Sequence, residues 1–105
     1  MWEEKIKQKI KIIKEAGAAN KYNHAGIYCV KVNGIILYIG KSLDMLRRVA
    51  QHMIDIEENR KTNKYIVFRG LMNRGFEITF DVLYVATGTK NVEDEIGWKE
   101  GELIR

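Results

Sequence analysis

The sequence predicts an α/β protein of the α+β type, in which helices flank a small, mainly antiparallel three-stranded sheet. Two apolar, β-favouring runs flank Asn33-Gly34, the strongest kind of two-residue hairpin signal. A third run, residues 76–85, alternates apolar and polar side chains as a half-buried strand does. The other periodic segments repeat at helical spacing. Because 105 residues suffice for one core, we expect a single domain.

The first element is an amphipathic helix over residues 2–16, which ends near Gly17. Four apolar residues form its stripe and five lysines occupy much of the remaining surface: Trp2, Ile6, Ile10 and Ile13, then Lys5, Lys7, Lys9, Lys11 and Lys14. The lysines form either a solvated face, which is the favoured interpretation, or a face that contacts phosphates. Residues 17–24 are expected to form a loop.

The hairpin joins strands over residues 25–32 and 35–40. In a regular hairpin with a two-residue turn, Tyr28 would pair with Ile39. Tyr38 would then point to the opposite face of the sheet. A site that contains both tyrosines therefore requires a bulge, another register or a sharp twist.

The next helix is expected to begin after Ser42 as its N-cap and to run to about residue 58, with Asp44 in its first turn. Its core stripe consists of five apolar residues: Leu46, Val49, Ala50, Met53 and Ile56. Arg48 and His52 are four residues apart, so they should lie together on one flank, outside that stripe.

Residues 64–73 are expected to form a helix with four residues inward: Tyr65, Phe68, Leu71 and Met72. Strand 76–85 should place alternate residues on one face: Phe76, Ile78, Phe80, Val82 and Tyr84. Asn91 can cap a last helix whose first turn is acidic.

Composition limits the classes of protein that this chain can belong to. The net charge of +4 and pI of about 9.2 favour an anionic partner, nucleic acid first. No apolar run is long enough to cross a membrane, and the charged N-terminus is unlike a signal peptide. The single cysteine, Cys29, cannot form an internal disulfide, which fits a reducing compartment. We therefore expect a cytoplasmic protein.

Glu100 occupies an unusual position in the predicted last helix. It falls between Ile96 and Leu103 on the apolar face, where a carboxylate loses solvation unless a positive or hydrogen-bonding group meets it. That group can be a divalent cation, or a lysine or arginine. Alternatively, the end of the stripe is exposed.

The motifs resemble those of the GIY-YIG nuclease superfamily. They are Gly26-Ile27-Tyr28, Tyr38-Ile39-Gly40 and then, in order, Lys41, Arg48, His52 and Glu100. The resemblance covers residues 25–105, with residues 1–24 as an N-terminal amphipathic helix and loop. It implies the fold expected above and an endonuclease that hydrolyses DNA phosphodiester bonds with one Mg²⁺ or Mn²⁺ ion.

The resemblance also implies a role for each site residue. One of Tyr28 and Tyr38 would help to activate the attacking water and the other would position it, assisted by Lys41. Arg48 would stabilise the charge of the transition state, as a fixed guanidinium can. His52 would orient the nucleophile or move a proton, unless it is a partly exposed helix residue without a role. Glu100 would bind the metal.

The chain departs from the family pattern at its C-terminus. Family members usually carry an asparagine about a dozen residues after the metal-binding glutamate, whereas this chain ends at Arg105. We therefore expect either a domain truncated at the C-terminus or a nuclease-like module that binds nucleic acid or a protein without cutting. A separate DNA-recognition domain or partner is also expected. A chance match in an interaction domain would predict no affinity for DNA.

Overall fold

The computed structural model describes residues 2–17, 22–58, 63–88 and 91–104. In this part of the chain three strands form one antiparallel sheet in the order β2–β1–β3, and four helices flank it. The strands are β1 (Gly26–Val32), β2 (Ile35–Ser42) and β3 (Ile78–Val85). The helices are α1 (Trp2–Glu15), α2 (Met45–Glu57), α3 (Asn63–Asn73) and α4 (Val92–Ile104). The predicted fold class is confirmed.

The turn between β1 and β2 has the backbone that its sequence predicts. Asn33 and Gly34 both have positive φ, 49° and 84°. Two consecutive positive values are typical of the turn that matches the twist of a tight hairpin, and asparagine and glycine adopt them at least cost. The hairpin prediction is therefore confirmed at the turn itself.

A bulge in β2 changes the register beyond the turn. Val32 pairs with Ile35 and Lys31 with Ile36, but Val30 pairs with Tyr38, so Leu37 is the extra residue. Tyr28 then faces Gly40, and the regular pairing of Tyr28 with Ile39 is wrong. One inserted residue reverses the side-chain alternation that follows. Tyr38 consequently lies on the same face of the sheet as Tyr28.

A second bulge interrupts β3, where Tyr28 pairs with Val82 but Ile27 pairs with Tyr84. Leu83 is the extra residue, so the alternation predicted for this strand is wrong at its end. Tyr84 points to the opposite face from Val82, where its hydroxyl donates a hydrogen bond to the Glu95 carboxylate of α4.

The main core lies between one face of the sheet and helices α1, α2 and α3. Tyr28 packs there with Ile6 and Ile13 of α1 and with Val49 of α2. Val30 and Val32 form a second cluster with Ile56 of α2 and with Tyr65 and Phe68 of α3. The predicted apolar stripe of α1 is thus confirmed, while Met72, predicted to point inward in α3, is 39% exposed.

Ion pairs tie α1 to α2 along both flanks of the apolar contact. Arg47 donates two hydrogen bonds to the Glu3 carboxylate, at 2.6 and 2.7 Å. On the other flank Lys9 bonds to Glu57 at 2.7 Å, and Lys5 bonds to Glu58. The predicted loop at 17–24 lies partly outside the described residues.

The helix caps are only partly as predicted. Asp44, not Ser42, is the N-cap of α2, and its carboxylate accepts from the Arg47 amide at 3.1 Å. The Ser42 hydroxyl instead accepts from the Asp44 amide, two residues further along the chain. Both residue types cap well, so local preference does not separate them. Asn91 caps α4 as predicted, because its side-chain oxygen accepts from the Asp94 amide at 3.1 Å.

Helix α4 covers the other face of the sheet, against β2 and β1. Side chains alternate along β2, so Lys41 points towards α4, while Tyr38 points towards α2 and Gly40 lies on the same face as Tyr38. Among the helices in the described ranges, none is both long and apolar enough to span a bilayer.

Candidate functional site

His52 lies at the centre of a buried polar cluster and is 1% exposed. Its Nε2 atom is 2.6 Å from the Tyr28 hydroxyl, and its Nδ1 atom is 2.8 Å from the Tyr65 hydroxyl. The prediction that His52 lies on a flank outside the core stripe is therefore wrong. Helix α2 contacts α1, α3 and the sheet, so its buried surface is wider than one apolar stripe.

Tyr38 completes an aromatic cluster on the same side of the sheet. Its ring centroid is 6.3 Å from that of Tyr28 and 5.8 Å from that of His52, which it meets edge-on. Tyr28 is 1% exposed, whereas Tyr38 is only half-buried. Of the two motif tyrosines, Tyr38 therefore lies nearer to solvent.

Gly40 makes room for the Tyr28 ring. A Cβ atom at this position would lie 2.5 Å from the Tyr28 hydroxyl oxygen and 2.6 Å from the adjacent ring carbon. These separations are far below van der Waals contact. The glycine of the second tripeptide is thus required by the tyrosine of the first, since the two residues are paired across the hairpin.

The ionisation of Tyr28 is controlled by opposing effects. Burial raises the pKa of its hydroxyl, and the neighbouring Tyr38 adds to the increase. Arg48 acts in the opposite direction, chiefly through its positive charge. The increase dominates, so Tyr28 is a neutral phenol at physiological pH. Arg48 also donates to the Gln51 side-chain oxygen at 3.1 Å.

The ionisation of Tyr65 is controlled by burial and by Asp55. Burial raises the pKa of Tyr65, and the nearby Asp55 carboxylate raises it further. A nearby negative charge disfavours the ionised phenolate, which explains the direction of this shift. Asp55 is three residues after His52 and is half-buried.

Lys41 and Glu100 form a separate pair on the face of the sheet that α4 covers. The Lys41 ammonium lies 3.7 Å from a Glu100 carboxylate oxygen, and the two side chains are 52% and 22% exposed. Of the partners considered for Glu100, a lysine is therefore present. A shallow cleft beside the pair is lined by Lys41, Ser42, Leu43, Glu93 and Ile96.

The Glu100 carboxylate is the candidate ligand for a magnesium ion on this face of the sheet. No group of three or more histidine, cysteine or acidic side chains converges on a point within the described ranges. Mg²⁺ is commonly bound through one or two carboxylates, with water and substrate phosphates as the remaining ligands. The partly exposed Glu100 carboxylate, whose contact with Lys41 is long, is compatible with that role.

The structure thus brings four of the six predicted site residues together and places the other two apart. One cluster contains Tyr28, Tyr38, Arg48 and His52. The other face of the sheet carries the pair of Lys41 and Glu100. Sequence reasoning assigned Tyr65 to the core only and did not identify Asp55. The one local signal that relates Asp55 to the site is its spacing of three residues from His52, because residues three apart share a side of a helix.

Comparisons with known proteins supply no relative: no family model, curated protein or solved structure matches this chain.

Proposed function

We propose that this protein is a metal-dependent endonuclease of the GIY-YIG type that hydrolyses DNA phosphodiester bonds. The observation that supports this most directly is the hydrogen bond between Tyr28 and His52, with Tyr38 and Arg48 beside it. A phenol bonded to an imidazole and flanked by a guanidinium is suited to proton transfer next to an anion. The order of the two tripeptides and the four following residues supports the same assignment.

In this proposal the half-buried Tyr38 contacts the attacking water, and Tyr28 holds Tyr38 and His52 in place. Arg48 pairs with the phosphate oxygens and offsets the charge that develops on them. The DNA strand crosses the end of β2. Gly40 and Lys41 are adjacent there, and they lie on the two faces of the sheet that carry the two groups of site residues. Lys41 contacts a phosphate oxygen there.

Glu100 would hold the Mg²⁺ or Mn²⁺ ion. When bound, the ion would supply Lewis-acid stabilisation to the leaving 3′ oxygen. Lys41 would then transfer its contact from Glu100 to phosphate, which its exposed position allows.

Cleavage of supercoiled plasmid tests the proposal. With Mg²⁺ we expect nicking by the unaltered chain, its abolition by EDTA and by Glu100→Gln, and a loss of about 100-fold or more in Arg48→Ala, since a charge-stabilising donor contributes about this much. Arg47→Ala and Glu102→Gln are the matched controls, because these residues lie beside the site residues in the same helices but pair elsewhere. Both controls should cut normally. Undiminished cutting by Glu100→Gln would refute the metal assignment.

Helix α1 offers a surface for DNA. Lys7, Lys11 and Lys14 recur at spacings of four and three residues, so they lie on one side of the helix. All three are exposed, and none forms an ion pair within the described part of the chain, whereas Lys5 and Lys9 are neutralised by glutamates. The unpaired lysines are therefore the stronger candidates for phosphate contacts.

Salt-dependent binding distinguishes these lysines. In Lys11→Gln/Lys14→Gln, the slope of log K against log salt should fall by about 2, because each lost phosphate contact removes about 0.9. Lys5→Gln/Lys9→Gln removes the same charge and should change the slope little. Fluorescence anisotropy with a short duplex at several salt concentrations measures both. Equal slopes in the two variants would assign the effect to net charge and not to this surface.

The alternative is a nuclease-like module that binds nucleic acid or a protein partner without cutting. The Lys41–Glu100 pair favours it, because the ammonium already neutralises the proposed metal-binding carboxylate. Salt-dependent binding of DNA, with no nicking at any Mg²⁺ or Mn²⁺ concentration, would select this alternative.

A further inference from the structure

The guanidinium of Arg69 in α3 contains two buried donors without a hydrogen-bond partner. Its Nε and Nη2 atoms are both buried, and neither donates to an acceptor within the described part of the chain. Arginine is always charged in proteins, and a buried charged donor without a partner costs free energy. In the neighbouring helix α2, by contrast, Arg47 pairs with Glu3 and Arg48 donates to Gln51. Arg69 therefore holds a pair of donors that the described part of the fold does not use.

The two unpaired nitrogens form one edge of the planar guanidinium. Their N–H bonds point in nearly the same direction, so together they can donate to two oxygens of a single anion. Bidentate pairing of this kind is the way in which arginine binds phosphate most strongly and with most geometric specificity. The unpaired edge of Arg69 thus has the geometry of a phosphate-binding group.

Arg69 lies on the side of α3 that borders the aromatic cluster. It follows Tyr65 by four residues, so the two side chains lie one above the other on the helix. The Tyr65 hydroxyl is 2.8 Å from His52 Nδ1, and Tyr38 packs against the apolar cluster that contains Tyr65 and Phe68. Helix α3 therefore brings Arg69 to the margin of the candidate site.

The Arg69 side chain can present its unpaired edge to an anion outside the protein. The side chain as a whole is half-buried, and it contains several rotatable bonds. Because neither Nε nor Nη2 has a hydrogen bond to lose, turning the guanidinium outwards breaks no polar contact at that edge and relieves the cost of its burial.

We propose that Arg69 binds a DNA phosphate next to the one at Arg48, through its Nε–H and Nη2–H edge. This inference rests on the proposed function, because it takes the DNA strand as the anion. Arg48 lies beside the site tyrosines on α2, and Arg69 follows Tyr65 on α3, so the two arginines hold neighbouring phosphates of one strand. Arg69 contacts no reacting atom, and its role is to bind and position the DNA.

Binding of a short DNA duplex in EDTA, measured by fluorescence anisotropy, tests this role without cleavage. In Arg69→Met we expect a loss of affinity of about tenfold or more, since charge-assisted hydrogen bonds contribute about this much. The slope of log K against log salt should fall by about 0.9. Arg69→Lys keeps the charge but not the bidentate edge, so it should keep the slope and recover only part of the affinity.

Arg47→Met is the matched control, because it removes the same charge from a guanidinium that already pairs with Glu3. Its slope should equal that of the unaltered chain. Unchanged affinity and slope in Arg69→Met, the same loss in both methionine variants, or an unaltered chain that does not bind the duplex would each overturn the proposal.

Urea unfolding separates binding from a structural role. Methionine is apolar and unbranched, so Arg69→Met removes the unpaired charge, and the urea midpoint of the free protein should stay equal or rise. A lower midpoint would assign Arg69 to folding and overturn the proposal. Plasmid nicking is a separate result: nicking together with DNA binding that does not depend on Arg69 overturns this inference alone, whereas binding that depends on Arg69 without nicking supports it and overturns only the proposed cleavage.

Discussion

As pH rises above about 10, the free energy of unfolding should fall with a slope that approaches about 4 kcal/mol per pH unit. Three buried tyrosines have a raised pKa in the folded protein, Tyr22 to about 12 and Tyr28 and Tyr65 also upward, in each case chiefly because of burial. Their extra stability is fully present below the unfolded pKa of about 10 and is lost as pH rises towards the folded value. Over this interval the unfolded chain releases three protons that the folded chain retains, at about 1.4 kcal/mol per proton per pH unit.

Urea unfolding followed by circular dichroism between pH 8 and 11 measures this dependence. Tyr22→Phe and Tyr65→Phe should each reduce the slope by about a third, because each removes one of the three protons. Stability that is independent of pH up to 11 would contradict the burial of these hydroxyls. A slope that Tyr65→Phe leaves unchanged would contradict its part in the cluster.

His52→Leu should destabilise the protein by about 2–4 kcal/mol. The leucine is apolar and similar in bulk, but it deprives the buried hydroxyls of Tyr28 and Tyr65 of their imidazole partner. A buried polar group that loses its partner costs about 1–3 kcal/mol. Thermal and urea unfolding of the variant against the unaltered chain provide the measurement.

The triple variant Tyr28→Phe/His52→Leu/Tyr65→Phe separates the polar contribution from packing. Replacing all partners of a hydrogen bond by apolar groups can be nearly neutral, so the triple variant should recover part of the stability lost in His52→Leu. A further loss in the triple variant would show that shape, and not the unpaired hydroxyls, determines the cost. If the proposed function holds, neither variant should cut DNA, because both lack the proton acceptor.

Local sequence was sufficient to predict the main elements. Asn33-Gly34 specifies its turn through the positive φ that both residues adopt, and Asn91 caps α4 through its own side chain. Ile6 and Ile13 lie on the buried side of α1 because their spacing places them on one side of any helix. These features depend on neighbours within a few residues, which the sequence shows directly.

Register and burial in the site could not be predicted in this way. The bulges at Leu37 and Leu83 arise from pairing across strands, and the first of them places Tyr38 on the face that carries Tyr28. His52 is buried because α1, α3 and the sheet all pack against α2, which the periodicity of α2 alone does not indicate. Asp44, and not Ser42, is the N-cap of α2. The helix-capping preferences of aspartate and serine are too similar to predict which of the two residues is used.

The sequence by itself determined the order of the helices and strands, the hairpin turn, the basic charge and the residue types available for chemistry. The tertiary structure alone decided which of those residues meet. It joined Tyr28 and Tyr65 through His52 and paired Lys41 with Glu100 on the other face of the sheet. The physical reason is that secondary structure follows from interactions between near neighbours, whereas a site depends on contacts between residues 13 to 59 positions apart in the chain.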